Sequence, residues 1–195
     1  MWRTANGLVR TELGIVAVFT VLAMLVHCLP PAGAQAQSVE PARLSGEEAM
    51  LAGKPIIFVP GKATWDRAFL AITEKFRIIT AVLRDNNIAA AGPMMTIYTA
   101  VSDRGFEFHA AVPIAEPPAN PLPDGIRSGQ SPAGRAFKYV HRGSYEAMEM
   151  LYEAITNDLD GKRLARTGVF FEEYVTDPLA TPEDRLVVNV FVLVK

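Results

Sequence analysis

Hydrophobic and polar residues follow one order along this chain twice over. Lys54 to Pro60 reads KPIIFVP, a short apolar run closed by Gly61, and predicts a strand. Apolar residues then recur at Trp65, Phe69, Ile72, Phe76, Ile79 and Leu83. Their steps of four and three draw a single stripe down one long helix. Thr64 is placed to cap that helix, Asp66 puts an acid in its first turn, and Asp85-Asn86-Asn87 ends it. After Gly92-Pro93, two strands are expected at Met94–Ala100 and Phe106–Pro113, joined by the turn residues 102–105.

The second half repeats this order. Arg135–His141 predicts a strand and Arg142-Gly143 a turn, and Ser144 caps a helix striped by Tyr145, Met148, Tyr152, Ile155 and Leu159. Strands Val169–Val175 and Leu186–Val194 follow, separated by Thr176-Asp177-Pro178. Both helices open on a hydroxyl, an aromatic and an acid, at Thr64-Trp65-Asp66 and Ser144-Tyr145-Glu146. Both following strands place Tyr six residues after Gly, at Gly92 and Tyr98 and again at Gly168 and Tyr174. The expected fold is therefore α+β: a duplicated β-α-β-β unit, with two long helices on one face of a mostly antiparallel sheet and a pseudo-twofold axis between the copies. The copies occupy residues 54–113 and 134–195. The Pro- and Gly-rich connector, 114–133, is expected to be a lid over the seam, where two such halves leave a cleft suited to a ligand.

The first 36 residues have another character. Arg3 and Arg10 precede an apolar run from Leu13 to Leu29, Pro30-Pro31 interrupts it, and small residues at 32–36 offer a cleavage pattern between 34 and 36. This reads as a cleavable signal peptide, placing the mature protein in the periplasm or outside the cell, with a retained membrane anchor as the alternative. His27 before Cys28 argues against lipid attachment. Residues 37–51 read as a polar tether and 52–195 as the domain.

Charge and cysteine content narrow the partners. The net charge of −2 becomes −3 when Arg3, Arg10 and Glu12 leave with the signal, so nothing attracts a nucleic acid. The single cysteine leaves as well, removing any thiol nucleophile or thiolate metal site. His109 and His141 stand in separate halves without a helical or strand partner, which is poor metal-ligand spacing, and no cofactor is expected. His141 reads instead as a strand-end residue bonding the turn backbone. No nucleophile elbow, zinc-protease motif or phosphate loop is present. The mature protein is expected to be a monomer free of the membrane.

One strand carries candidate chemistry. Residues two apart share a face, so Phe170, Glu172 and Tyr174 point one way and Phe171, Glu173 and Val175 the other. A carboxylate between aromatics suits a flat cation through charge pairing and cation–π contact. The same alternation also describes the wet side of a one-sided sheet. Tyr98 and Thr96 are the repeat-mates of Tyr174 and Glu172.

The stretch from Gly134 to Glu146, centred on His141-Arg142-Gly143-Ser144-Tyr145, resembles the strand-turn-helix signature of GyrI-like domains, also known as effector-binding domains of AraC-type regulators. Phe171-Glu172-Glu173-Tyr174 with Asp177-Pro178 resembles that family's Glu-x-Tyr and Asp-Pro motifs. The resemblance implies a pair of SHS2-like repeats with a pocket between them for lipophilic, often cationic compounds. It puts Glu172 and Tyr174 in the pocket; the repeat adds Tyr98, and Phe170 and Tyr139 are expected as apolar walls. It also implies a hydrolase as the alternative, with Glu172 as general acid or base and Tyr174 assisting. A third reading is an envelope protein-interaction module docking through the open sheet face. This chain shows no helix-turn-helix segment, so the regulators' work on DNA is not expected of it.

Overall fold

The computed structural model describes residues 44–195; the expected signal peptide and the first part of the tether, 37–43, lie outside them. Eight strands form one sheet: β1 (Glu47–Leu51), β2 (Pro55–Ala63), β3 (Met95–Ser102), β4 (Gly105–Pro113), β5 (Arg127–Gln130), β6 (Gly134–Arg142), β7 (Arg166–Tyr174) and β8 (Val187–Val194). Their order across the sheet is β1-β6-β8-β7-β3-β4-β2-β5, and every pairing is antiparallel. Helices α1 (Ala68–Asp85) and α2 (Met148–Gly161) each follow one tight 3-10 turn. The α+β duplication read from the sequence is therefore present, with β2-α1-β3-β4 as one copy and β6-α2-β7-β8 as the other.

The copies join edge to edge at β3 and β7, where Met95, Thr96 and Ile97 face Glu173, Glu172 and Phe171. Thr96 and Glu172 are matching positions of the two repeats and also stand directly opposite each other. The pseudo-dyad therefore passes between them.

The predicted stripes become the core. Ile72, Phe76, Ile79 and Leu83 of α1 and Met148, Ile155 and Leu159 of α2 are buried against Ile57, Val59, Phe108, Val188, Val190 and other strand residues of one sheet face. Ser144 caps the second helix as expected, accepting from the Glu146 amide at 3.3 Å, whereas Thr64 makes no cap bond. Side chains on the other face, including Ile97, Phe171 and Phe191, form a second buried cluster.

Two strands were not foreseen. Residues 47–51, expected to belong to the tether, pair along β6 as an edge strand, tied by Glu48 to Arg135 and Glu47 to Lys138. In the connector, Arg127–Gln130 pairs with β2 at the sheet's opposite edge. That places this stretch away from the seam it was expected to cover; a proline-free segment beside an open edge satisfies its amides there. Both strands, at five and four residues, are too short to show an alternating pattern.

The lead-in to β1 is fastened to α2. Asp158 accepts from the Gly46 amide at 3.1 Å, the Tyr139 hydroxyl at 2.8 Å and the Lys162 ammonium. Burial alone would raise the Asp158 pKa, but these three donors together hold it below the ordinary carboxylate range. Position 46 must be glycine, because a Cβ would lie 2.4 Å from the Tyr139 ring. Asp158→Ala leaves the hydroxyl and amide without their acceptor. It is expected to destabilise the chain by ~1–3 kcal/mol, read from urea unfolding midpoints; an unchanged midpoint would show that water replaces the latch at no cost.

Candidate functional site

At the dyad the sheet presents a carboxylate to the helices. Glu172 of β7 points to the helix-covered side and is fully buried, so its face is core rather than the wet side of the sheet. Four phenols surround it. Tyr98 of β3 donates to one carboxylate oxygen at 2.7 Å, and Tyr174 of β7 donates to the other at 2.8 Å. These are the repeat-mates, and they approach from the two sides of the seam as their matching positions require. Tyr152 of α2 donates at 2.7 Å. Tyr145, in the turn before α2, lies at 3.3 and 3.5 Å from the two oxygens and 3.0 Å from the Tyr98 hydroxyl.

Further aromatic rings enclose this cage. Phe170 stacks on Tyr98 with centroids 4.6 Å apart and meets Tyr152 edge-on, while Phe69 packs against Tyr145 and Phe76 against Tyr174. Tyr145 and Tyr152 keep part of their rings at the surface, with their hydroxyls turned inward. No Lys, Arg or His of the described residues contacts Glu172.

Burial raises the pKa of Glu172, and the four donated hydrogen bonds only partly offset it. The four tyrosines are pushed well above the ordinary phenol range, first by burial and then by the Glu172 charge. The phenols thus stay neutral donors and the carboxyl is the group that titrates. Thr96, opposite Glu172, is buried with its hydroxyl unpartnered among the described residues. The dyad therefore carries an acid in one repeat and only a neutral hydroxyl in the other. As it stands the centre has room for a proton, and a cation could reach the carboxylate only where a hydroxyl moves aside.

Of the five residues assigned from the sequence, Glu172, Tyr174, Tyr98 and Phe170 converge here. Tyr139 does not: its hydroxyl is committed to Asp158 at the far end of α2, and burial followed by that carboxylate raises its pKa. The sequence places Tyr145 and Tyr152 on the helix's core stripe. Their spacing of seven puts both on one helical face, and two phenols on a buried stripe need acceptors; that was the available signal. His141 bonds the carbonyls of Gly143 and Ser144 at 3.2 and 2.8 Å, the turn-holding role expected of it. His109 stacks on Phe58, away from Glu172.

The model of the GyrI-like small molecule binding domain matches residues 47–195. The chain belongs to this family. Solved structures share the GyrI-like fold at low identity. The C-terminal domain of EcmrR superposes with a TM-score of 0.67 at 10% identity, over 78% of this chain and 98% of that one. EcmrR in its DNA complex gives 0.68 at 11% identity, and this chain covers 58% of its length. SAV2435 bound to tetraphenylphosphonium gives 0.54 at 11%, over 78% and 94% of the two chains. A hydrolase from Listeria innocua gives 0.55 at 9%, over 78% and 93%. No curated protein sequence matches this chain. The GyrI-like match begins at Glu47, the first residue of β1, so the edge strand falls within the matched domain.

Proposed function

We propose that this GyrI-like domain is an exported, monomeric binding protein for a lipophilic cation held against Glu172 at the seam of its repeats. One observation carries the reading: a fully buried carboxylate inside an aromatic cage, with no cationic side chain of the described residues to neutralise it. An uncompensated buried charge is costly, and a cation whose charge is spread over apolar groups restores the balance while losing little hydration. That one neighbour of the same fold was solved with tetraphenylphosphonium agrees in chemistry. Export rests on the N-terminal pattern of Arg3, Arg10, the apolar run to Leu29 and the small residues that follow.

Binding requires the cage to open, because the four hydroxyls already occupy the carboxylate. Tyr98 and Tyr174 are fixed in the sheet, whereas Tyr145 makes the longest contacts and belongs to a partly exposed turn. The ligand's charge therefore takes the side of Tyr145.

Protein recovered from the extracytoplasmic fraction is expected to begin just after residues 34–36. Calorimetric titration should show tetraphenylphosphonium binding about tenfold or more tightly than neutral triphenylphosphine oxide, a gap of ~1.4 kcal/mol or more. Equal affinities would overturn the cation reading, and an intact N-terminus in the cytoplasm would overturn export.

A further inference from the structure

A second hollow lies outside the cage, in the first repeat. We propose that the groove between the start of α1 and the β3–β4 hairpin is a separate ligand site, for an amphipathic anion: an apolar chain ending in a carboxylate. The groove has a volume of about 670 Å³, within the ~300–1,000 Å³ range of small-molecule sites.

Its walls are fixed by backbone features with no other evident use. A bulge after Tyr98 turns β3, and from Thr99 to Ser102 the strand is exposed at every position, where up to Tyr98 it is wholly buried. On the hairpin's other arm, Gly105 lies so close to β2 that a Cβ would stand 2.1 Å from the Ala63 carbonyl, and its φ of +155° is one that side chains rarely adopt. The Trp65 indole donates to the Ser102 carbonyl at 2.9 Å and packs on Phe106, joining the helix start to the hairpin. The groove is thus held open rather than left by a loose loop.

The lining has two characters. Leu70 and Val101, 47% and 52% exposed, make an apolar floor with Ala71 and Phe106. Arg67, two residues after Trp65, and Arg104, two residues after Ser102, both line it beside the contact that joins those segments, and neither joins an ion pair among the described residues. The Thr64 hydroxyl beside them makes no cap bond. Of the acidic lining residues, Glu107 is paired with Lys62 at 3.1 Å. Glu74 lies two helical turns beyond Arg67, about 10 Å along the axis. A carboxylate therefore belongs at the arginine end, where two guanidiniums offer charge-assisted hydrogen bonds, with the chain over Leu70 and Val101. Glu74 rejects a second anionic group at the far end. This chemistry is opposite in sign to that of the Glu172 cage, so the two sites are separable.

Calorimetric titration of the full chain with dodecanoate and with dodecyltrimethylammonium, both below micelle formation, tests the site. Dodecanoate is expected to bind, to lose about tenfold or more in the double variant Arg67→Gln with Arg104→Gln, and to change less than about twofold in Glu172→Gln. Leu70→Asp should weaken it as well. All four substitutions leave the hydrophobic core unchanged or isosteric, and circular dichroism checks that each variant folds. No binding of dodecanoate, undiminished binding in the double-arginine variant, or a loss confined to Glu172→Gln would each overturn the proposal. An equal loss of dodecyltrimethylammonium in the double-arginine variant would also overturn it, because the groove would then select the chain and not the charge.

Discussion

Glu172→Gln is expected to cost tetraphenylphosphonium about thirtyfold or more in affinity, while a neutral aromatic of similar size loses less than about threefold. The substitution keeps the shape and hydrogen-bonding capacity of the side chain and removes only the charge. Tyr98, Tyr152 and Tyr174 now donate to the carboxylate at 2.7–2.8 Å. In the variant, one hydroxyl can turn to accept from the new amide while the others donate to its oxygen. Packing by Phe170, Phe69 and Phe76 is untouched, so the cage should survive and the comparison isolates the charge. A buried charge pair that loses one partner leaves the other desolvated and unpaired, at ~2 kcal/mol or more, which is the thirtyfold expected. Equal losses for the cation and the neutral compound would mean that Glu172 only shapes the cage. In that case the aromatic rings, and not the carboxylate, would set affinity.

How much of this was legible beforehand depended on range along the chain. The helices and six strands followed from local periodicity, and the duplication followed because both copies kept Gly and Tyr at one spacing. The dyad position of Glu172 was also implicit: once Thr96 and Glu172 are repeat-mates, an antiparallel seam can set them opposite each other, as the structure does. The contribution of α2 was hidden, because Tyr145 and Tyr152 occupy stripe positions that core residues would fill equally well. A hydrophobic stripe tells which face is buried but not what a hydroxyl will meet there. Tyr139 was misplaced for the related reason that strand parity gives a face and not a position along the sheet. It shares the helix-covered face with Glu172, yet β8 separates β6 from β7, and its hydroxyl ends at Asp158. Strands β1 and β5 were invisible because edge pairing draws on the neighbour's open hydrogen bonds more than on the strand's own pattern.

Affinity for the cation should also depend on pH, with a sign set by the same burial. Because burial raises the Glu172 pKa, the ligand-free carboxyl keeps its proton to higher pH than an ordinary glutamate, and that proton must leave before a cation can pair with the carboxylate. Binding is therefore expected to weaken by about tenfold for each pH unit below the raised pKa and to level off above it. The groups facing Glu172 from β3, β7, α2 and the turn before it are Tyr98, Thr96, Tyr174, Tyr152 and Tyr145. The four phenols are held above their ordinary range and Thr96 does not titrate, so none adds a second transition near neutrality. The stability of the ligand-free chain runs the other way. A carboxyl whose pKa is raised by folding contributes stability that is complete below its unfolded value and is lost as pH rises through the folded one. Acid should therefore favour the empty, closed cage, and alkali the cage that awaits a cation. Tetraphenylphosphonium titrations from about pH 4 to 8, run with wild type and Glu172→Gln, separate this linkage from general charge effects. A sloping wild type beside a flat variant is the expected pair. A flat wild type would mean that the empty cage already holds an ionised carboxylate, stabilised by four phenols alone, and parallel slopes would place the titrating group elsewhere in the domain.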